Sequence, residues 1–234
     1  MPTAKQHLAA LRSLFDYLVV GQTMRTNPAR SVRGPKYVVK KGLTPVLLPE
    51  EARHLLESID PYTMSGLRDR ALLAIMVYSF ARVGAVVAMD AEDYFPQGKR
   101  YWFRLHEKGS KLHDVPAHHK AEEFVDTYLK AAGLEGAKGV PIFQAIGRKG
   151  QLTGRRLARL DVLDMVKRRA RKAGLLTQVC CHTFRATGIT AFLLGGGSLE
   201  MAQRIANHES TRTTKLYDRT SDTISLDEIE RIVL

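Results

Sequence analysis

Cys181-His182-Thr183-Phe184-Arg185, an apolar stretch over 186–194, Asn207-His208 and Thr213-Thr214-Lys215-Leu216-Tyr217 make up the C-terminal third from which the rest of the chain is read. The apolar stretch predicts a helix, so two histidines, an arginine and a tyrosine fall on separate short elements. Groups of these kinds can converge on one phosphodiester. A phenol can act as nucleophile, a planar guanidinium fork binds two phosphate oxygens at once, and imidazoles relay protons or donate hydrogen bonds.

Composition agrees with a polyanionic substrate. The chain has 234 residues, 44% hydrophobic and 7% aromatic, enough to bury a core as one domain, or one domain with a small appendage, and not the profile of a disordered chain. A formal net charge of +12 points first to nucleic acid. The two cysteines, Cys180 and Cys181, are neighbours and close no long loop, and no Cys-x-x-Cys or His/Cys metal spacing occurs. A reducing, cytoplasmic and nucleoid-associated location is expected, with no metal and no cofactor. The N-terminus carries no signal-peptide pattern, and no apolar run is long enough to span a bilayer.

Upstream, Leu8, Leu11, Phe15 and Leu18 recur at helical spacing over residues 3–20, which Gly21 and Asn27-Pro28 bring to an end. Residues 27–42 are proline-broken and basic, with Arg30, Arg33, Lys36, Lys40 and Lys41. They read either as a linker lying along a DNA backbone or as an ordinary hinge. Leu48-Pro49-Glu50-Glu51 marks a helix start. Residues 68–79 predict an apolar core helix, with Arg82 at its end and a further apolar helical segment after it. Residues 93–95, 100–105 and 111–116 read as short strands of an antiparallel sheet, joined by Pro96-Gln97-Gly98 and Lys108-Gly109-Ser110. Residues 121–132 predict a helix and 141–154 a glycine-containing loop. Residues 155–173 predict a basic helix carrying Arg155, Arg156, Arg159, Arg168 and Arg169, suited to phosphate contact or to a plain solvated face. The fold class expected is α+β, mainly α-helical, with a small antiparallel sheet.

Arg82, Lys108, His182-x-x-Arg185, His208 and Tyr217, in that order, resemble the tyrosine recombinase (phage integrase) family over nearly the whole chain. The first arginine box is Arg68-Asp69-Arg70-Ala71-Leu72-Leu73 leading to Arg82-Val83. The hairpin lysine segment is Glu107-Lys108-Gly109-Ser110-Lys111 with Val115-Pro116. The third and fourth boxes are His182-Thr183-Phe184-Arg185, and Asn207-His208 with Thr213-Thr214 and Tyr217. Phe80-Ala81 stands where the family commonly has Gly-Leu, Ala85 where it has an acid, and Asn207 where it has a glycine. The resemblance implies a DNA breaking-rejoining catalytic fold over 44–221. It also implies a partial core-binding, SAM-like segment with its basic linker over 1–43. In the tail, 222–234, Ser225-x-x-Glu228 fits a capping box and predicts a short helix.

By the same resemblance, the reaction is site-specific recombination of double-stranded DNA through 3′-phosphotyrosine intermediates. A homotetramer on two sites would carry it out, with an accessory directionality factor as a possible partner. Arg82 and Arg185 would bind the scissile phosphate, Lys108 would be the general acid, and His182 the acid/base partner. His208 would donate to the phosphate and Tyr217 would attack it. Lys111 shares the hairpin with Lys108 and is expected on DNA. Storing the bond energy in a phosphotyrosine ester removes the need for ATP or metal, in keeping with the absence of a Walker loop and of clustered carboxylates. Two rivals share the pocket: a DNA-relaxing enzyme like type IB topoisomerases, and a DNA-binding remnant that does not cut.

Overall fold

The computed structural model of the chain describes residues 2–36 and 42–218. The chain divides into two compact units, Met1–Lys40 and Lys41–Leu234. In the first, helix α1 (Pro2–Val20) is followed by a segment that folds back on it. The Asn27 amide donates to the Arg12 carbonyl at 3.0 Å and to the Asp16 carboxylate at 2.7 Å, and Arg12 Nε donates to the Ala29 carbonyl at 3.2 Å. Asn27 thus ties the returning chain to the middle of the helix, which itself ends at Val20. Leu11, Leu14 and Tyr17 stay exposed on α1.

The second unit opens with α2 (Pro49–Glu57), where the Glu51 carboxylate accepts from the Leu48 backbone N–H at 2.8 Å. Helix α3 (Met64–Tyr78) begins one turn earlier than the hydrophobic pattern predicts, because the Thr63 hydroxyl caps it by accepting from the Gly66 N–H at 3.1 Å. Gly66 is required by packing: a Cβ there would meet the Asp60 carbonyl oxygen at 1.7 Å. The run Ala71 to Met76 is fully buried and forms the centre of the core. Around α3 lie α4 (Val83–Ala88), α5 (His119–Ala132), α6 (Arg159–Lys172) and α7 (Cys181–Leu194), followed by α8 (Leu199–Ile205) and α9 (Thr211–Lys215).

Strands β1 (Tyr94–Gln97), β2 (Arg100–Glu107) and β3 (Lys111–Pro116) form the expected antiparallel sheet, in the order β1-β2-β3. Phe103, Leu105 and Val115 point into the core, while Arg104 pairs with Asp114 across the outer face at 2.9 Å. Residues 141–154, expected as a loop, include part of a second hairpin, β4 (Gln144–Ile146) with β5 (Leu152–Arg156), in which Gln144 faces Arg156. The basic helix therefore starts at Arg159, not Arg155. These strands are short and polar, and Gly154 sits at φ 75°, so no alternation announced them. The predicted tail helix lies outside the described residues.

Candidate active site

The site is assembled on α7. Thr183 caps that helix, its hydroxyl accepting from the Cys180 N–H at 3.1 Å, which puts His182 in the first turn and Arg185 one turn further along the same face. Arg185 is 1% exposed. It donates through one terminal nitrogen to the Phe80 carbonyl and through the other to the Ala206 carbonyl, the latter at 2.6 Å. Its Nε is buried without a partner among the described residues. Burial and the neighbouring Arg82 push the guanidinium pKa down to about 10, opposed by the Tyr217 phenol and the Glu107 carboxylate. Arg185 remains a cation at neutral pH.

The approach of α7 to α3 depends on Gly188, where a Cβ would meet the Val77 carbonyl oxygen at 2.0 Å. That approach brings Arg185 to the backbone that follows α3. Phe80, in the turn before Arg82, has φ 54°, and Asn207, before His208, has φ 48°. Both lie in the left-handed region, at the two positions where the family that the chain resembles commonly has a glycine. The Arg185 guanidinium is thus held between the turn that precedes Arg82 and the turn that precedes His208.

Tyr217 follows α9 and is 7% exposed. Thr190 of α7 donates to its carbonyl at 2.8 Å, and the Tyr217 hydroxyl lies 2.5 Å from His182 Nε2. Burial raises the phenol pKa, and Arg185 and Arg82 pull against that rise. Burial, with the same two arginines, lowers the His182 pKa below 6.5. A neutral imidazole therefore faces a neutral phenol, which is the arrangement in which the phenol donates. His208 stacks on the Tyr217 ring at 5.8 Å and 9°, and its Nδ1 is 2.9 Å from the Thr214 hydroxyl. Burial, Arg185, Arg82 and His182 push the His208 pKa down to about 3, so it too is neutral.

Arg82 caps α4 and gives one guanidinium nitrogen to Glu107, the last residue of β2, at 2.7 Å. Lys108 follows on the exposed turn between β2 and β3. Arg82, Glu107, Lys108, His182 and Arg159 line one cleft of about 560 Å³. All six residues read from the sequence as the catalytic set thus fall within this one region. Four others carry its geometry, three of them unassigned by the sequence reading and Arg159 read there as one cation of the basic helix. Thr190 and Thr214 fix Tyr217 and His208, Glu107 holds Arg82, and Arg159 adds a cation to the cleft wall. Thr214 and Glu107 sit inside the quoted motifs, Arg159 belongs to the basic helix singled out from the sequence, and Thr190 carries no local signal. Among the described residues, no group of three or more His, Cys, Asp or Glu could hold a metal ion, and no helix is long and apolar enough to cross a membrane.

The outlying cations divide into two groups. Arg30, Arg33 and Lys36 of the first unit are exposed, as are Lys111, Arg155 and Arg168 of the second. Lys40 and Lys41 lie outside the described residues. Two residues assigned to DNA from sequence have partners within the fold. Arg156 donates to the carbonyls of Val87 and Met89 at 2.9 and 2.8 Å and pairs with Asp90, closing the end of α4. Arg169 gives two nitrogens to one oxygen of Asp69, at 2.9 and 2.7 Å, and Asp69 is fully buried. Arg168 and Arg169 look alike in sequence, but Arg169 reaches a buried acid while Arg168 faces outward.

Residues 45–223 match the phage integrase family. The chain is 32% identical over 227 residues to the tyrosine recombinase XerC of Syntrophus aciditrophicus, covering 94% of this chain and 70% of that protein. It is 30% identical over 223 residues to the XerC of Thermodesulfovibrio yellowstonii, covering 92% of this chain and 70% of that one. Among solved structures, the XerH site-specific recombinase bound to difH substrate in a pre-cleavage complex superposes with a TM-score of 0.67 at 22% identity, covering 97% of this chain and 63% of that one. A lambda integrase dimer bound to a COC′ core site gives 0.68 at 18%, covering 94% and 61%. The chain thus spans less than two thirds of the length of these two structures, and at these identities they show the fold alone. The family match covers well over half of the chain, and with the XerC relatives it settles the classification: the chain belongs to the phage integrase family, the tyrosine-type site-specific recombinases.

Proposed function

We propose that the chain cleaves and rejoins double-stranded DNA at specific sites through a 3′-phosphotyrosine intermediate, with Tyr217 as the nucleophile. The observation that carries this reading is the 2.5 Å contact between the Tyr217 hydroxyl and His182 Nε2, beside the buried guanidinium of Arg185. Tyr217 Oη forms a bond to phosphorus, the bond from phosphorus to the 5′ oxygen breaks, and the phenol proton passes to His182. Lys108 gives a proton to the leaving 5′ oxygen from its exposed turn. Arg82 and Arg185 offset the charge that builds on the non-bridging oxygens, and two planar forks do this better than two ammonium groups. If the Thr214 hydroxyl donates to His208 Nδ1, the opposite ring nitrogen carries an N–H that can donate a hydrogen bond to the phosphate. Attack on the phosphotyrosine by a 5′ hydroxyl from a second duplex reverses the sequence and completes strand exchange.

Arg30, Arg33, Lys36, Lys40, Lys41, Lys111, Arg155 and Arg168 would follow the backbones of the bound duplex. A homotetramer on two sites is the assembly proposed, in line with a solved lambda integrase tetramer on a Holliday junction. An accessory directionality factor and a place on the nucleoid belong to the same reading. The test is incubation with nicked suicide duplexes from the gene's own genomic flanks, in which loss of the short 5′ fragment traps the intermediate. A denaturing gel should show a covalent DNA–protein adduct that Tyr217→Phe abolishes. An undiminished adduct in that variant would remove Tyr217 from the role.

A further inference from the structure

Glu107 is the one carboxylate among the residues that line the cleft. Its side chain is 5% exposed, whereas that of Arg82, its partner at 2.7 Å, is 44% exposed. A carboxylate buried to that degree is costly unless a cation or several donors satisfy it, so the pair is held together from the carboxylate's side. Helix α4, which Arg82 caps, offers nothing comparable. Its sequence is Val83-Gly84-Ala85-Val86-Val87-Ala88, with no acid, and Ala85 is buried against the core. The contact to Glu107 is the one hydrogen bond given to the Arg82 side chain among the described residues.

We propose that Glu107 is a positioning residue for strand cleavage: from the end of β2 it clamps one edge of the Arg82 guanidinium and leaves the rest of the fork open to the scissile phosphate. The proposal rests on reading this cleft as the recombinase active site. An arginine side chain free to rotate on the half-exposed lip of a cleft would have to be ordered in each transition state. The clamp orders it in the resting enzyme. Glu107 also lowers the mutual repulsion of the cations gathered here, since Arg82 weakens the protonation of Arg185 and Glu107 restores it. Because Glu107 adjoins Lys108 and pairs in register with Lys111, one hairpin end supplies both the clamp and the proposed proton donor.

The test is a double-mutant cycle on the full chain, read as the rate of covalent adduct formation on nicked suicide duplexes under single-turnover conditions. Glu107→Gln keeps the shape and removes the charge. It should slow cleavage by ~10-fold or more, with DNA affinity in a gel-shift assay unchanged within ~2-fold. In an Arg82→Ala background the same substitution should change the rate by less than ~2-fold, because the residue it positions is gone; in a Lys108→Ala background it should keep its full effect. A merely structural role would lower the rate by the same factor in every background, and that result, or full activity in Glu107→Gln, overturns the proposal. If the melting temperature of Glu107→Gln collapses, Glu107→Asp enters the same cycle. It retains the charge one methylene further from Arg82, and its defect should likewise vanish only when Arg82 is absent. If Tyr217→Phe still forms the adduct, the active-site reading fails, and the cycle no longer bears on the chemistry assigned here.

Discussion

Phe80 and Asn207 are 127 positions apart in sequence and share one unusual backbone state, with φ of 54° and 48°. Each belongs to a turn whose carbonyl (Phe80 itself, and Ala206 just before Asn207) accepts from the same side chain, Arg185. A left-handed residue ends the preceding helical segment abruptly and re-aims the next residue. Here the next residues are the approach to Arg82 and His208 itself. The two turns and the buried guanidinium therefore form one device that sets the relative positions of three members of the site.

Substitution at the two turns should have opposite outcomes. Asn207 is exposed, so Asn207→Gly removes only the left-handed strain and should be neutral or stabilising by up to about 1 kcal/mol. Phe80 is 4% exposed and packs edge-on against Phe192 at 5.9 Å. Phe80→Gly would relieve ~1–2 kcal/mol of backbone strain and lose ~3–5 kcal/mol of packing. The packing loss wins, so the variant should be destabilised by a few kcal/mol. Urea unfolding midpoints of the two variants check both signs.

Acid should weaken the fold through His208. Its folded-state pKa of about 3 lies below the ordinary 6.5, so as pH falls the unfolded chain takes up this proton first. Stability from the neutral, stacked imidazole is therefore complete above pH ~6.5 and lost as pH drops towards 3. Between pH 7 and pH 4 about 2.5 units of that gap are crossed, which at ~1.4 kcal/mol per unit gives roughly 3 kcal/mol. Denaturant titrations at the two pH values should show that extra loss in the wild type and not in His208→Gln. Equal losses would mean that the imidazole is not held neutral.

Much of this site was legible because its residues sit in short, ordered motifs. His182 and Arg185 share a helix face by spacing alone, and Lys108 lies on a turn marked by Gly109-Ser110. What the sequence concealed depends on pairing at long range. The partnership of Glu107 with Arg82 crosses 25 positions and that of Thr190 with Tyr217 crosses 27. The second hairpin was invisible because Gln144–Ile146 is three residues long and has no alternating face. Likewise, nothing local separates Arg168 from Arg169; the distinction lies in Asp69, 100 positions away from Arg169.

Arg185→Lys retains the charge and should still fail. A single ammonium cannot reproduce a planar fork that reaches both the Phe80 and the Ala206 carbonyls. At least one buried carbonyl loses its donor, at a cost of about 1–3 kcal/mol, which thermal unfolding will register. Cleavage of suicide substrates should drop by ~10-fold or more, since the two turns that carry Arg82 and His208 lose their common anchor. Wild-type cleavage by a folded Arg185→Lys protein would show that positive charge alone suffices at this position.

Arg168 and Arg169 should respond to charge reversal in different ways although they are neighbours on α6. Arg168 is exposed, so Arg168→Glu should leave stability within about 0.5 kcal/mol of wild type. If it touches DNA, the slope of log affinity against log salt should flatten by about 1. Arg169→Glu acts on the interior instead. Asp69 is fully buried and accepts from Arg68 through one oxygen and from Arg169 through the other. A second carboxylate beside it leaves an uncompensated buried charge, and breaking such a pair typically costs ~3–5 kcal/mol. The Arg169→Glu protein should therefore unfold at much lower denaturant, and Arg169→Met, which inserts no charge, should fall between it and the wild type. Equilibrium unfolding of the three variants, together with salt titrations of Arg168→Glu, separates the two roles. A stable Arg169→Glu protein with a flattened salt slope would return Arg169 to the DNA-facing set.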